Sequence, residues 1–191
     1  MNTRWHVAAG LALALLAACS NTGTGTGSAP AGGAAPAGTH VWSRSMETRK
    51  LALEKATRDT GIEVLRTRAN ELQVNVPSDF SFDSGSAELK PDMKRVLDEF
   101  AQGLEQPALA HLTIHIVGHA DSTGPDAVND PLSVKRADSV RKHLVALGIA
   151  PARIEVEGRG EHQPMVDNAK PYSRALNRRV EILLREPGAR S

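Results

Sequence analysis

Hydrophobic positions recur every three or four residues in some stretches of the chain and every second residue in others. Trp42, Met46, Leu53 and Ala56 stand at helical spacing among charged residues across 41–60, with Gly61 placed to end the helix. Ile62 and Val64 suggest a first strand. Leu72, Val74 and Val76 alternate strictly with polar neighbours in a second, which Pro77 closes, and 66–70 turns between the two. Met93, Val96, Leu97, Phe100 and Leu104 then form one helical stripe, with Pro91 in the first turn, where its missing N–H costs nothing.

In the strand predicted over 111–118, Leu112, Ile114 and Ile116 share the core face, while His111, Thr113, His115 and Val117 share the other. Ala137, Val140, Leu144 and Leu147 make a further helical stripe, capped by Gly148. Proline interrupts a helix already under way. The long helix is therefore expected to begin at Pro131 with Asp130 as its N-cap, leaving 125–129 as a separate turn. Ile154 and Val156 mark another strand, and Val180, Ile182 and Leu184 the last. This order of elements predicts an α+β sandwich, a mixed β-sheet with helices packed on one face.

The start of the chain reads differently. Arg4 precedes an apolar run over 7–18 that is too short to span a bilayer but suits the core of a secretory signal, so 1–18 is expected to be a signal peptide. The run closes in Leu16-Ala17-Ala18-Cys19, which resembles the lipobox of bacterial lipoproteins and implies lipidation of Cys19, the chain's single cysteine. An exported chain with one thiol has no internal disulfide partner, so lipidation gives that thiol a use. Ser20 follows; in resembling lipoproteins an aspartate there favours the inner membrane, so its absence implies the outer membrane. Residues 19–40 are the lipidated cysteine and a tether, in which the stretch from Asn21 to about Thr39, almost wholly Gly, Thr, Ala, Pro and Ser, spans as a flexible coil roughly 25 Å on average and about 65 to 70 Å pulled straight. The remaining organisation is an N-terminal helix and first strand over 41–69, a binding domain over 70–186 and a tail over 187–191.

A net charge of +1 argues against nucleic acid, whose binding requires many phosphates to be neutralised. The chemistry gathers elsewhere. A strand ending in Gly118-His119-Ala120-Asp121 places the Asp121 carboxylate at the strand's C-terminal edge, where α/β folds usually hold ligands. Arg136, read as lying near the start of the next helix, opposes the positive end of that helix's dipole and is better explained by an anionic partner. An acid and a guanidinium across a shallow site suit a zwitterion.

Taken together, Phe82-Asp83-Ser84-Gly85-Ser86-Ala87-Glu88-Leu89, Gly118-His119-Ala120-Asp121, Leu132-Ser133-Val134-Lys135-Arg136-Ala137, Gly158-Arg159-Gly160-Glu161 and Asn177-Arg178-Arg179-Val180 resemble, in order, the OmpA C-terminal-like family. This is the peptidoglycan-binding domain of Gram-negative outer-membrane proteins and lipoproteins. The likeness covers roughly 70–185. It implies that Asp121 and Arg136 grip the diaminopimelate of the peptide stem, with Phe82, Asp83, Asn129, Leu132 and Arg178 around them. It departs in Ala120, where the family usually has threonine, and in Ser173, where it has glycine. The implied role is attachment of the outer membrane to peptidoglycan, with the domain in the periplasm, no cofactor and other envelope proteins as further partners.

Two other readings compete. One is an envelope protein–protein interaction module without direct peptidoglycan binding. The other is a metal-dependent hydrolase built on His111, His115, His119 and Asp121, with His143 or His162 completing the set. Spacing counts against the second, because residues four apart on a strand lie about 13 Å apart. No nucleophile, base and orienting group assemble from the sequence, so binding and not catalysis is expected.

Overall fold

The structure is a computed structural model and describes residues 42–187. The expected signal peptide over 1–18, Cys19 and the expected tether fall outside the described residues. Helix α1 (Arg44–Ala56) starts where the Ser43 hydroxyl accepts the Met46 N–H at 3.1 Å. It buries Met46 and Leu53, and the face continues to Thr57 while Ala56 is exposed. Strands β1 (Glu63–Arg66) and β2 (Leu72–Pro77) form a hairpin, followed by the single turn α2 (Ser78–Ser81) and by α3 (Pro91–Ala101). Next come β3 (Thr113–Gly118), the long helix α4 (Asp126–Ala146), β4 (Ile154–Gly158), the short α5 (Pro171–Asn177) and β5 (Arg179–Arg185).

The strands make one mixed sheet in the order β1-β2-β5-β3-β4, antiparallel throughout except for β3 beside β4. That exception follows from topology: α4 carries the chain back across the sheet between β3 and β4, and such a crossover leaves its strands parallel. Val64, Val74, Ile182, Ile116 and Val156 form one row across all five strands. The row lies on the core side with Met93, Leu97 and Phe100 of α3 and Ala137, Val140 and Leu144 of α4. α1 and β1, from the segment 41–69, pack into the same core as 70–186.

Pro131 corrects one expectation, because α4 runs through it and begins at Asp126. Its first turn is held by the Val128 and Asn129 N–H groups donating to the Pro125 carbonyl at 2.9 and 3.1 Å. Pro131 removes the bond that would reach Ala127, and both residues lie on the exposed side. Water can serve the freed carbonyl there, which lowers the usual cost of an internal proline. Arg136 consequently sits in the middle of the helix, and its dipole argument does not apply.

Two glycines set how closely α4 approaches the sheet. Gly118 and Gly158 are paired at the ends of β3 and β4. A Cβ at Gly118 would overlap the Ser133 carbonyl, and one at Gly158 would overlap Val134 and the Ser133 hydroxyl. Ser133 uses this contact: its hydroxyl donates to the Asp130 carbonyl at 2.7 Å and accepts from the Gly160 N–H at 3.1 Å. Arg136 lies one turn beyond Ser133 on the same buried face.

Candidate functional site

A cleft of about 760 Å³ opens between the β2–α3 connection, the loop after β3, the start of α4 and α5. All seven residues proposed from the sequence line it: Phe82, Asp83, Asp121, Asn129, Leu132, Arg136 and Arg178. Their parts differ. Phe82 is buried at 2% exposure, and the Arg136 guanidinium stacks over its ring with Cζ 5.1 Å from the centroid. Arg136 is itself 6% exposed and donates its Nε–H to the Ser86 carbonyl at 3.0 Å. Among the described residues, no carboxylate lies within ion-pairing distance of it. Burial pushes its pKa below the ordinary guanidinium value, with the more distant charges of Asp79 and Asp121 opposing that shift.

Asp121 is 5% exposed and already engaged. Its Oδ1 accepts the Thr123 N–H at 2.8 Å, an Asx turn that shapes the loop after β3, and its Oδ2 accepts Arg178 Nη1 at 2.6 Å. Burial pushes the carboxyl pKa up, but the hydrogen bonds from Arg178 and Thr123 outweigh burial and hold it below the ordinary value. The other edge of Arg178 grips Asp79, Nε to Oδ1 at 3.2 Å and Nη2 to Oδ2 at 2.8 Å. That fork holds the Asp79 pKa down and drives the Arg178 pKa up.

Asn129 is spent on the scaffold. Its amide donates to the Asp121 carbonyl at 3.0 Å, the Gly124 carbonyl at 3.3 Å and Glu161 Oε2 at 3.0 Å, tying the β3 loop to the loop after β4. Asp83 is exposed on the rim and pairs with Lys90 at 3.2 Å. Leu132 and Val128 give the wall an apolar strip beside these charges. The arrangement can bind a ligand with a carboxylate near Arg136, an ammonium near Asp121 and a methylene chain between them.

The sequence profile of the OmpA family matches residues 81–178, the span that contains every element of the cleft except Asp79. The chain belongs to the OmpA family. Among similar OmpA-like proteins, "Probable lipoprotein YiaD" of Escherichia coli is 38% identical over 140 residues, covering 73% of this chain and 62% of the relative. "Peptidoglycan-binding protein ArfA" of Mycobacterium tuberculosis is 39% identical over 104 residues, covering 54% of this chain but 31% of the relative. The crystal structure of a MotB-like protein from Desulfovibrio vulgaris superposes with a TM-score of 0.66 at 27% identity, over 74% of this chain and 92% of that one. The chain thus spans less than two thirds of the length of either of these curated relatives. No helix among the described residues is long and apolar enough to cross a membrane.

Other members of the OmpA motifs turn away from the cleft. Asn177 is fully buried and clamps the preceding loop, accepting the Met165 and Val166 N–H groups at 2.8 and 3.1 Å and donating to the Val166 carbonyl at 2.7 Å. Arg179 lies on the opposite face of β5 and pairs with Glu181 at 2.7 Å, so it is a buried ion pair and not a solvated charge. The metal reading fails on position. His111 pairs with Glu186, His115 with Glu157, and His119 is buried beside Glu181. Among the described residues only Asp126, Asp130 and His162 bring three ligand atoms within 4.8 Å of one another, and these residues are exposed, with His162 Nε2 already 3.3 Å from Asp130. Asp79, Thr123 and Arg174 are cleft residues that sequence reasoning missed. The Asp-Ser-Thr-Gly turn signal points to Thr123, whereas nothing in the periodicity marks Asp79.

Proposed function

We propose that the cleft binds the diaminopimelate of peptidoglycan peptide stems without covalent chemistry, and that a lipid on Cys19 ties the chain to the outer membrane. The observation that carries this reading is the buried Arg136 guanidinium, which has an aromatic platform and one backbone acceptor but no carboxylate partner among the described residues. A desolvated guanidinium without a counter-anion is a costly arrangement that a ligand carboxylate would relieve. Its free Nη groups offer the parallel donors that a carboxylate accepts. Asp121, held ionised by Arg178 and Thr123, accepts the ligand ammonium through its remaining lone-pair site.

Further support comes from membership of the OmpA family and from relatives named as a lipoprotein and as a peptidoglycan-binding protein. In this reading the domain faces the periplasm and the 19–40 tether spans the distance between membrane and wall. Each stem contact is modest, and attachment strengthens because many copies meet one polymer at high effective concentration. The test is a pull-down of the purified protein with isolated cell wall, with and without free diaminopimelate. Retention that free diaminopimelate competes away supports the reading; no retention, or retention indifferent to diaminopimelate, overturns it.

A further inference from the structure

Arg178 is shared unequally between two carboxylates. Its Nε and Nη2 form a two-pronged contact with Asp79 at 3.2 and 2.8 Å, and of its three remaining N–H groups only one, on Nη1, reaches Asp121, at 2.6 Å. An ionised carboxylate has about four lone-pair sites. At Asp121 one is used by the Thr123 N–H on Oδ1 and one by Arg178 on Oδ2, and the Thr123 hydroxyl bonds the same carboxylate, so about one site is left for a ligand in the cleft that Asp121 lines.

We propose that Asp79 is a specificity-determining positioning residue that keeps Arg178 from closing over Asp121, so that Asp121 stays open to a ligand ammonium. This rests on the reading of the cleft as a zwitterion site. Without Asp79, nothing holds the Nε–Nη2 edge, and a guanidinium next to a single carboxylate favours the parallel two-bond geometry. Arg178 then turns its fork onto both oxygens of Asp121 and competes with the ammonium from within the protein. The backbone keeps Asp79 in place for this task. The Ser78 N–H donates to the Arg178 carbonyl at 2.8 Å, Pro77 pairs with Arg179 across β2 and β5, and Lys90 Nζ donates to the Asp79 carbonyl at 2.9 Å. The Asp79 side chain is 66% exposed, so its pair with Arg178 adds little to folding, and its effect is one of orientation.

The experiment is calorimetry of the full chain with two probes: diaminopimelate, and pimelate, which has the same carbon chain and both carboxylates but no ammonium. Asp79→Ala is expected to weaken diaminopimelate about tenfold, the scale of one charge-assisted contact, while pimelate affinity stays the same. In an Arg178→Ala background, Asp79→Ala should have no further effect, because the competing fork is gone. Equal losses for both probes, no loss for either, or a loss that persists without Arg178 overturns the inference while leaving the cleft reading intact. Absence of diaminopimelate binding by the unaltered chain overturns the cleft reading and this inference with it.

Discussion

The Arg136 guanidinium lies 5.1 Å from the centre of the Phe82 ring, and both side chains are buried. Phe82 belongs to the stretch after β2 and Arg136 to the middle of α4, so their contact requires α4 to descend close onto the strand ends. The small residues at 118 and 158 make that descent sterically allowed. The fold and the site are linked here through packing, since the same approach that buries Ala137 and Val140 carries Arg136 into the cleft.

Gly118→Ala and Gly158→Ala should therefore affect both folding and binding. Each added Cβ meets backbone or β-branched atoms of α4 that cannot step aside without moving the helix. Overpacking of this kind costs about 1 to 3 kcal/mol. Thermal unfolding should show both variants melting lower. Diaminopimelate binding should fall in the protein that remains folded, because Arg136 moves with α4. A variant with unaltered melting temperature would show that the helix does not rest on these glycines.

Much of this was legible before the structure because periodicity reports burial directly. The alternation through Leu72, Val74 and Val76 and the stripe through Met93, Val96, Leu97 and Phe100 both match the buried faces found. Pro131 misled because the cost of an internal proline depends on which way the freed carbonyl faces, and a one-dimensional pattern does not show that. The cleft residues were found through motif order, yet their division of labour was hidden. Asn129 and Asn177 look alike as polar motif residues, but three-dimensional hydrogen bonding spends one on the cleft's loops and the other on a loop behind it. Asp79 was silent because its partner Arg178 is distant in sequence.

The buried His119 should give stability a marked acid dependence. Its ring is 2% exposed, neither nitrogen has a hydrogen-bond partner among the described residues, and burial, aided by Arg179 and Arg159, pushes its pKa down to about 3 from 6.5. The folded state thus resists a proton that the unfolded chain accepts. Stability is full above pH 6.5 and falls as the pH drops toward the folded value, by about 2 kcal/mol at pH 5 from this group. His115, also pushed down mainly by burial, acts in the same direction. Denaturant unfolding at several pH values should show this slope, and His119→Leu should reduce it. A signal assigned to the His119 imidazole that titrates near pH 6.5 in the folded protein would refute the assignment.

The proposed lipidation of Cys19 predicts where the protein is found. Fatty-acid label should enter the chain through Cys19 and accompany it into the outer-membrane fraction, and Cys19→Ser should lose the label and the fractionation together. Label retained by Cys19→Ser would exclude this residue as the anchor.

Asp121 and Arg136 should contribute to ligand binding as a coupled pair. Each is expected to hold one charge of the same zwitterion, so removing either leaves a ligand charge desolvated and unmatched. By analogy with other hydrogen-bonded charge pairs, Asp121→Ala and Arg136→Ala should each cost on the order of 2 to 5 kcal/mol of binding. The double variant should lose less than the sum, because the second removal acts on a contact already weakened. Both side chains are buried and serve the fold as well, Asp121 through Thr123 and Arg178, and Arg136 through Ser86 and Phe82. Some loss of melting temperature is therefore expected, and binding must be measured well below it. Arg136→Lys separates the two roles. The ammonium retains positive charge over Phe82 and can still reach a backbone acceptor, but it lacks the planar pair of donors, so stability should recover more than affinity. Calorimetry with a soluble stem peptide, paired with thermal unfolding of each variant, measures both quantities. Wild-type affinity in folded Asp121→Ala and Arg136→Ala proteins would remove these residues from the site.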